Sequence, residues 1–194
     1  MIDRKDITGI ILAGGKSSRM KTDKGFLLLN NKPFVQYSID ALKPFVSEII
    51  IVSDDSKYDT LGLKRVNDIT KNAGPVAGIY SGLKASTTEY NVILSCDIPL
   101  ITSNIVKKLI DGLDETSDIV QIESNGKTMP LIALYKRKIK DKFNTLLQED
   151  ERRLRFAIKA CESKNIILQK EFEFSTMNVN TQTDLKAIED VYKH

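Results

Sequence analysis

The 194-residue chain has a single histidine, His194, at its last position, and two cysteines, Cys96 and Cys161, far apart and outside any C-x-x-C pattern. That scarcity removes whole classes of chemistry, among them a zinc site of clustered Cys and His and a disulfide framework. Only 10 glycines and 5 prolines are spread along the chain, with 41% hydrophobic and 28% charged residues, so neither a disordered nor a fibrous composition fits. The 29 basic and 26 acidic residues are well mixed, and a net charge of +3 gives little general pull toward nucleic acid. Any anion site therefore has to be local. Long apolar runs are missing too. The first, inside "MIDRKDITGIILAGG", is too short for a signal-peptide core or a membrane span. The expected setting is the cytoplasm, with neither a membrane nor a nucleic acid as partner.

What is present is alternation. "ITGIIL" (Ile7 to Leu12), "EIIIVS" (Glu48 to Ser53) and "NVILSC" (Asn91 to Cys96) are nearly continuous apolar segments, the pattern of strands covered on both faces in a parallel sheet. Between them lie helix-period segments over Phe34 to Leu42, Val76 to Lys84 and Ile105 to Leu113, two of them entered through Pro33 and Pro75. The order predicts an α/β fold, a single three-layer domain over residues 1–194. Its mostly parallel sheet carries a smaller antiparallel portion in the C-terminal half. In that half "DIVQIE" and "PLIALY" read as strands, "KIKDKFNTLLQ" and "RRLRFAIKAC" as helices, "NIILQ" as a further extended segment, and Thr183 to Tyr192 as a closing helix. Ligands of such sheets bind beyond the carboxyl ends of the strands, so the loops there are where function should sit.

The first of those loops, "LAGGKSSRMKTDKG", places Gly14, Gly15, Lys16, Arg19, Lys21 and Lys24 around one acid, Asp23. A Walker P-loop fails by one residue whichever glycine is counted from, and a G-x-G-x-x-G fingerprint is absent. What remains is a strand, a Gly-Gly turn, then Arg19 and Lys24. Glycine lets backbone N–H groups approach a triphosphate, and the two cations neutralise oxygens whose charge rises during phosphoryl transfer. Lys16 and Lys21 suit solvent better.

This loop resembles the L-A-G-G-x-S-x-R-M-G-x-D-K signature of nucleotidyltransferases. Further on come "NKPF", "ND" (Asn67-Asp68), "GPVAG" (Gly74 to Gly78), "SCDIP" (Ser95 to Pro99), "PLIALY", "ERRLR" and "NVNT" (Asn178 to Thr181). In that order the set is similar to the molybdenum cofactor guanylyltransferases of the MobA family from end to end. The resemblance implies GTP as nucleotide, Mg²⁺ as metal and molybdenum-loaded molybdopterin as acceptor, with proteins that deliver or receive the cofactor as possible partners. It assigns Leu12, Ala13, Gly14, Gly15, Lys24, Asp68, Gly74, Gly78 and Asp97 to GTP, Asp97 also to the metal, and Arg19, Lys24 and Asp97 to catalysis. For the acceptor it offers Arg152, Arg153, Asn178 and Asn180.

Each position has a plainer reading beside the functional one. Asp97 can hold a cation or cap a turn, and Asp68 can read a purine or cap Ile69-Thr70. "GPVAG" can admit a ligand or let a helix pack closely on the sheet, the Arg152-Arg153 pair can bind phosphate or face solvent, and Asn178 and Asn180 can reach a ligand or cap the last helix. Three departures from the family pattern stand out: Lys21 in place of a glycine, Met129 where His or Gln often precedes Pro130, and Gln182 where a proline often follows "NT". A related CTP-dependent transferase and a noncatalytic nucleotide-binding module are the rival readings. The Ala13-Gly14-Gly15 turn together with "GPVAG" favours guanine over the first, and Lys24, Asp97 and both asparagines favour turnover over the second.

Overall fold

In a computed structural model of the chain, residues 2–14, 23–70 and 73–192 are described. The strands are β1 (Ile7–Leu12), the short pair β2 (Leu28–Leu29) and β3 (Lys32–Pro33), β4 (Glu48–Val52), β5 (Lys64–Val66), β6 (Tyr90–Ser95), β7 (Ile119–Ser124), β8 (Lys127–Lys136) and β9 (Ser163–Ile167). The helices are α1 (Phe34–Leu42), α2 (Pro75–Ala85), α3 (Ser103–Asp111), α4 (Lys140–Gln148), α5 (Leu154–Lys159) and α6 (Gln182–Tyr192).

Seven strands form one sheet in the order β5-β4-β1-β6-β8-β7-β9. β1 pairs in parallel with β4 on one side and β6 on the other, and β4 with β5. Only β8 opposes its neighbours β6 and β7, while β7 and β9 are again parallel. The antiparallel portion expected in the second half is thus a single strand inserted into an otherwise parallel sheet.

All six residues of β1 are buried, because helices cover both faces and alternate side chains feed two cores. Ile7, Ile11 and Ala13 join Ile39, Leu42, Ile105, Val106 and Leu109 from α1 and α3. Ile10 and Leu12 join Val76, Ile79, Leu83, Phe143, Leu146 and Ala157 from α2, α4 and α5 on the other face. The result is the three-layer arrangement that the alternation predicts. Gly82 is what lets α2 lie so close: a Cβ there would fall 2.6 Å from Ile10 Cγ2.

Element limits differ locally from the sequence reading. The helix expected to Leu113 stops at Asp111, with Gly112 at its C-cap, and the one expected from Arg152 begins at Leu154. The β2–β3 hairpin carries no alternating apolar signal that would mark it in the sequence. Its turn is made by Asn30 and Asn31 at φ 50° and 60°, the left-handed region that asparagine tolerates and that tight hairpins require.

Candidate active site

The parallel strands deliver four chain segments to one edge. Beyond β1 the ladder runs on for one residue: Ala13 donates its N–H to Val52 O at 3.0 Å and Cys96 donates to Leu12 O at 3.1 Å. Gly14 therefore leaves the sheet between the ends of β4 and β6, where the strand order reverses direction. It is exposed, and a Cβ at Gly14 would meet no described residue within 4 Å. No described neighbour demands a glycine there, and the backbone is open to approach. Gly15, Lys16, Arg19 and Lys21 lie outside the described residues.

Asp97 follows β6 at this edge, and its three oxygens are all engaged. Oδ1 accepts from the Ser95 hydroxyl at 2.7 Å, Oδ2 accepts from the Lys24 ammonium at 3.2 Å, and the main-chain oxygen accepts from Val179 N–H at 2.9 Å. Lys24 also donates to Asn180 Oδ1 at 2.5 Å. Three residues far apart in the chain thus converge on one ammonium, with the Lys24 and Asp97 side chains only 21% and 14% exposed. At that depth water weakens the attraction less than it does between surface ions. Nothing in the sequence pointed to Ser95 as the residue that orients the carboxylate.

The cap of α6 is Thr181, whose hydroxyl accepts from Asp184 N–H at 3.2 Å while Asp184 Oδ2 accepts from the N–H groups of Asn180 and Thr181 at 2.9 and 2.8 Å. This is a reciprocal capping box. It leaves the Asn180 side chain to Lys24. Asn178 stands two residues earlier, partly buried. Asp68 makes the turn contacts: its Oδ1 accepts from Thr70 N–H and from the Ser81 hydroxyl, both at 3.3 Å. Oδ2 takes no hydrogen bond from a described residue. Burial raises the Asp68 pKa above its ordinary value, the hydrogen bonds from Thr70 and Ser81 offset this only in part, and the neighbouring Asp54 adds to the rise.

Next to Asp68 a web of hydrogen bonds stiffens the end of β5. Arg65 binds Asp59 through Nε and Nη2 at 2.6 and 3.2 Å, and its Nη1 donates to Ser53 O and Asn67 Oδ1. Past it, Gly74 adopts φ 74° and ψ −168°, a conformation open to glycine alone, and Pro75 starts α2 with no side-chain cap at its N-terminus. An uncapped helix start with its positive dipole end at the sheet edge favours an anion or a polar ring. Gly78 packs against Leu12 at ordinary distance, 3.5 Å from its ideal Cβ, so close helix–sheet contact rests on Gly82.

Arg152 and Arg153 precede α5. Arg152 pairs with Asp150, and Arg153 with Glu151. The hydrogen bonds from Arg153 hold the Glu151 carboxyl down at about 2. The Arg152 carbonyl is 3.9 Å from the ideal Cβ of Gly74. This pair therefore stands by the start of α2, while Asn178 and Asn180 stand by Asp97. Met129 lies beside a bulge where the β7–β8 register slips between Gln121 and Ile122, a distortion that often re-aims side chains near a site.

The pattern for MobA-like NTP transferase domains matches residues 9–165. The chain belongs to this family. Among relatives of known name, a probable molybdenum cofactor guanylyltransferase of Flavobacterium johnsoniae is 35% identical over 94% of this chain and 96% of its own length. The molybdenum cofactor guanylyltransferase of Yersinia pestis strain Pestoides F is 33% identical over 93% of this chain and 94% of its own. Among solved structures, molybdopterin-guanine dinucleotide biosynthesis protein A of Archaeoglobus fulgidus superposes with a TM-score of 0.81 at 21% identity, over 96% of this chain and 98% of that one. A 4-diphosphocytidyl-2C-methyl-D-erythritol synthase of Anaerococcus prevotii shares the fold, with a TM-score of 0.76 at 15% identity over 98% and 97%. The MobA-like NTP transferases are nucleotidyltransferases, and the Gly14, Lys24 and Asp97 edge lies within the matched segment.

Proposed function

We propose that the protein transfers GMP from GTP to the terminal phosphate of molybdenum-loaded molybdopterin, releasing pyrophosphate and forming the guanine dinucleotide. The observation that carries this reading is the convergence of Lys24, Asp97 and Asn180 beside the exposed Gly14 backbone. The names of the full-length relatives supply the substrates.

An acceptor phosphate oxygen attacks the α-phosphorus in line, one P–O bond forms, and the bond to the bridging oxygen of the β-phosphate breaks. A phosphate monoester with a second pKa near 6 is already largely ionised at neutral pH, so no general base is needed. Positioning and charge stabilisation do the work, which suits a site with no histidine. Gly14 and Gly15 cradle the β- and γ-phosphates. The Lys24 stem carries its ammonium from Asp97 to the phosphates, and Arg19 joins it there. Asp68 accepts from guanine N1–H and N2–H₂ through its second oxygen, with Gly74 and Gly78 forming the wall of the base pocket. Asn178 and Asn180 orient the acceptor, and Arg152 and Arg153 exchange their carboxylates for its phosphate.

The residues fit Mg²⁺. Among the described residues no group of three or more His, Cys, Asp or Glu could cage a metal, and Mg²⁺ in phosphoryl-transfer sites takes one or two carboxylates, with water and substrate phosphates completing its shell. Asp97, oriented by Ser95, would hold it. When bound, the ion supplies a Lewis acid for the phosphate oxygens. The cytoplasm remains the setting we infer; among the described residues no helix is long and apolar enough to cross a membrane.

The test is direct. With GTP, Mg²⁺ and molybdenum-loaded molybdopterin, pyrophosphate release should match dinucleotide formed, and GTP should exceed CTP and ATP by at least roughly tenfold in kcat/KM. A CTP preference would make the protein a cytidylyltransferase. No release with any nucleotide would make it a binding module.

A further inference from the structure

Lys24 is flanked by Asp23 and Gly25, and both flanking residues meet one buried side chain. Tyr58, on a 3-10 turn (Ser56–Leu61) after β4, is 0% exposed. Its hydroxyl donates to Asp23 Oδ1 at 2.6 Å, and the same oxygen accepts Gly25 N–H at 2.9 Å. A Cβ on Gly25 would fall 2.0 Å from the Tyr58 oxygen and 2.9 Å from Cζ. The phenol therefore occupies the space where a side chain at Gly25 would be. Phe26 closes the far side, its ring centroid 4.7 Å from that of Tyr58.

We propose that Tyr58 is the positioning residue for Lys24, and that the acid and the glycine on either side of the lysine serve to lock this turn onto the phenol rather than to touch substrate. An acid beside a phosphate-binding lysine invites a metal role, yet Asp23 Oδ1 is committed to two donors inside the protein. With the main chain fixed on both sides of Lys24, the long stem loses little freedom in reaching Asp97 and Asn180. Burial pushes the phenol pKa far above its ordinary value, so the proton stays on the hydroxyl and the donor persists across the working range. The turn carrying Tyr58 is itself anchored: the next residue, Asp59, holds Arg65, which reaches Asn67 beside Asp68. The phosphate and base sides of the site thus share one support.

The proposal rests on the transferase reading, and its test separates the two. Tyr58→Phe keeps the ring and removes the hydrogen bond. The expected result is a kcat loss of roughly ten- to a hundredfold, the scale of a catalytic group displaced by about 1 Å, with KM for GTP within about twofold. In a Lys24→Ala background Tyr58→Phe should cost less than about twofold, because the group it positions is gone. An equal loss in both backgrounds would overturn the proposal. Should Tyr58→Phe not fold, Asp23→Ala removes the same bond from its other end and is judged by the same pair of measurements. The ammonium resonance of Lys24 provides a readout free of turnover: it should shift or broaden in Tyr58→Phe, and an unchanged signal would also overturn the proposal. If the wild-type protein transfers no nucleotide, the functional reading fails alone, and the resonance still decides the positioning claim.

Discussion

Beyond the carboxyl ends of β1 and β6, Asp23, Lys24 and Asp97 each have a side-chain partner far away in sequence, whereas ahead of α5 Arg152 and Arg153 pair with acids two residues away. Lys24 meets Asp97 and Asn180, and Asp23 meets Tyr58. Arg152 meets Asp150, and Arg153 meets Glu151. The difference has physical content. Long-range pairs exist only once the sheet has formed, so the fold sets their geometry in advance. Pairs at two-residue spacing can form in the unfolded chain as well, lie in solvent and contribute little to stability. The Lys24 side is preorganised, and the arginines are cations whose carboxylate partners are free to be exchanged for the phosphate of the acceptor proposed above.

The largest effect that would test this contrast is at Asp97. Asp97→Ala should lower the rate by about a thousandfold if the carboxylate holds Mg²⁺ as proposed above. Melting should move by only a few degrees, because Asn180 still accepts from Lys24 and the backbone bond to Val179 remains. Near-wild-type pyrophosphate release would remove the metal role. Lys24→Ala should come next, at about a hundredfold in kcat. A sharp fall in melting temperature with the rate intact would make Lys24 structural and reverse the comparison.

Much of this side could be read in the sequence, because chemistry and periodicity are both local there. The runs around Ile10, Ile50 and Ile93 announced buried parallel strands, and the residues just past them, Gly14 and Asp97, lie at one edge for that reason alone. Lys24, Asn180 and Asp97 were candidates through their motifs, but their meeting at one ammonium could not be read, since no short-range rule links residues separated by half a chain. Tyr58 was invisible for the same cause: an isolated tyrosine after a strand carries no periodic or motif signal. The plainer reading of Asn180 as a helix cap yielded to Thr181, a choice between two adjacent capping residues that only the backbone geometry makes.

Asp68 sharpens the comparison from within, being a preorganised group that costs stability. Its folded pKa is raised, so its contribution to stability is present below the ordinary Asp value and is lost as pH rises through the folded value; at neutral pH the ionised carboxylate is a burden. Asp68→Asn should therefore melt slightly higher than wild type at pH 7, with the gap closing toward pH 4, while GTP binding weakens about tenfold through loss of a charged acceptor. A lower melting temperature at pH 7 would show that Asp68 serves the fold.

The smallest effect should come from Arg153→Ala, where the local pairing makes its clearest claim. The arginine side chain is 77% exposed, so its removal should shift melting by no more than about 1 °C, within the range of ordinary surface substitutions. KM for GTP should stay unchanged, and KM for the acceptor should rise about threefold, an increment that added salt erodes because exposed charges are screened. A second readout is independent of turnover. The Arg153 side chain is the main hold on the Glu151 carboxyl at about 2; without it that group should titrate higher, while the backbone N–H of residue 153, which Oε1 accepts at 2.8 Å, still keeps it below an ordinary glutamate, a rise that a carboxyl-carbon NMR titration resolves. A Glu151 carboxyl that did not rise at all, or a melting loss of several degrees, would mean that the segment ahead of α5 is held by more than its own neighbours, and that the two regions are built alike.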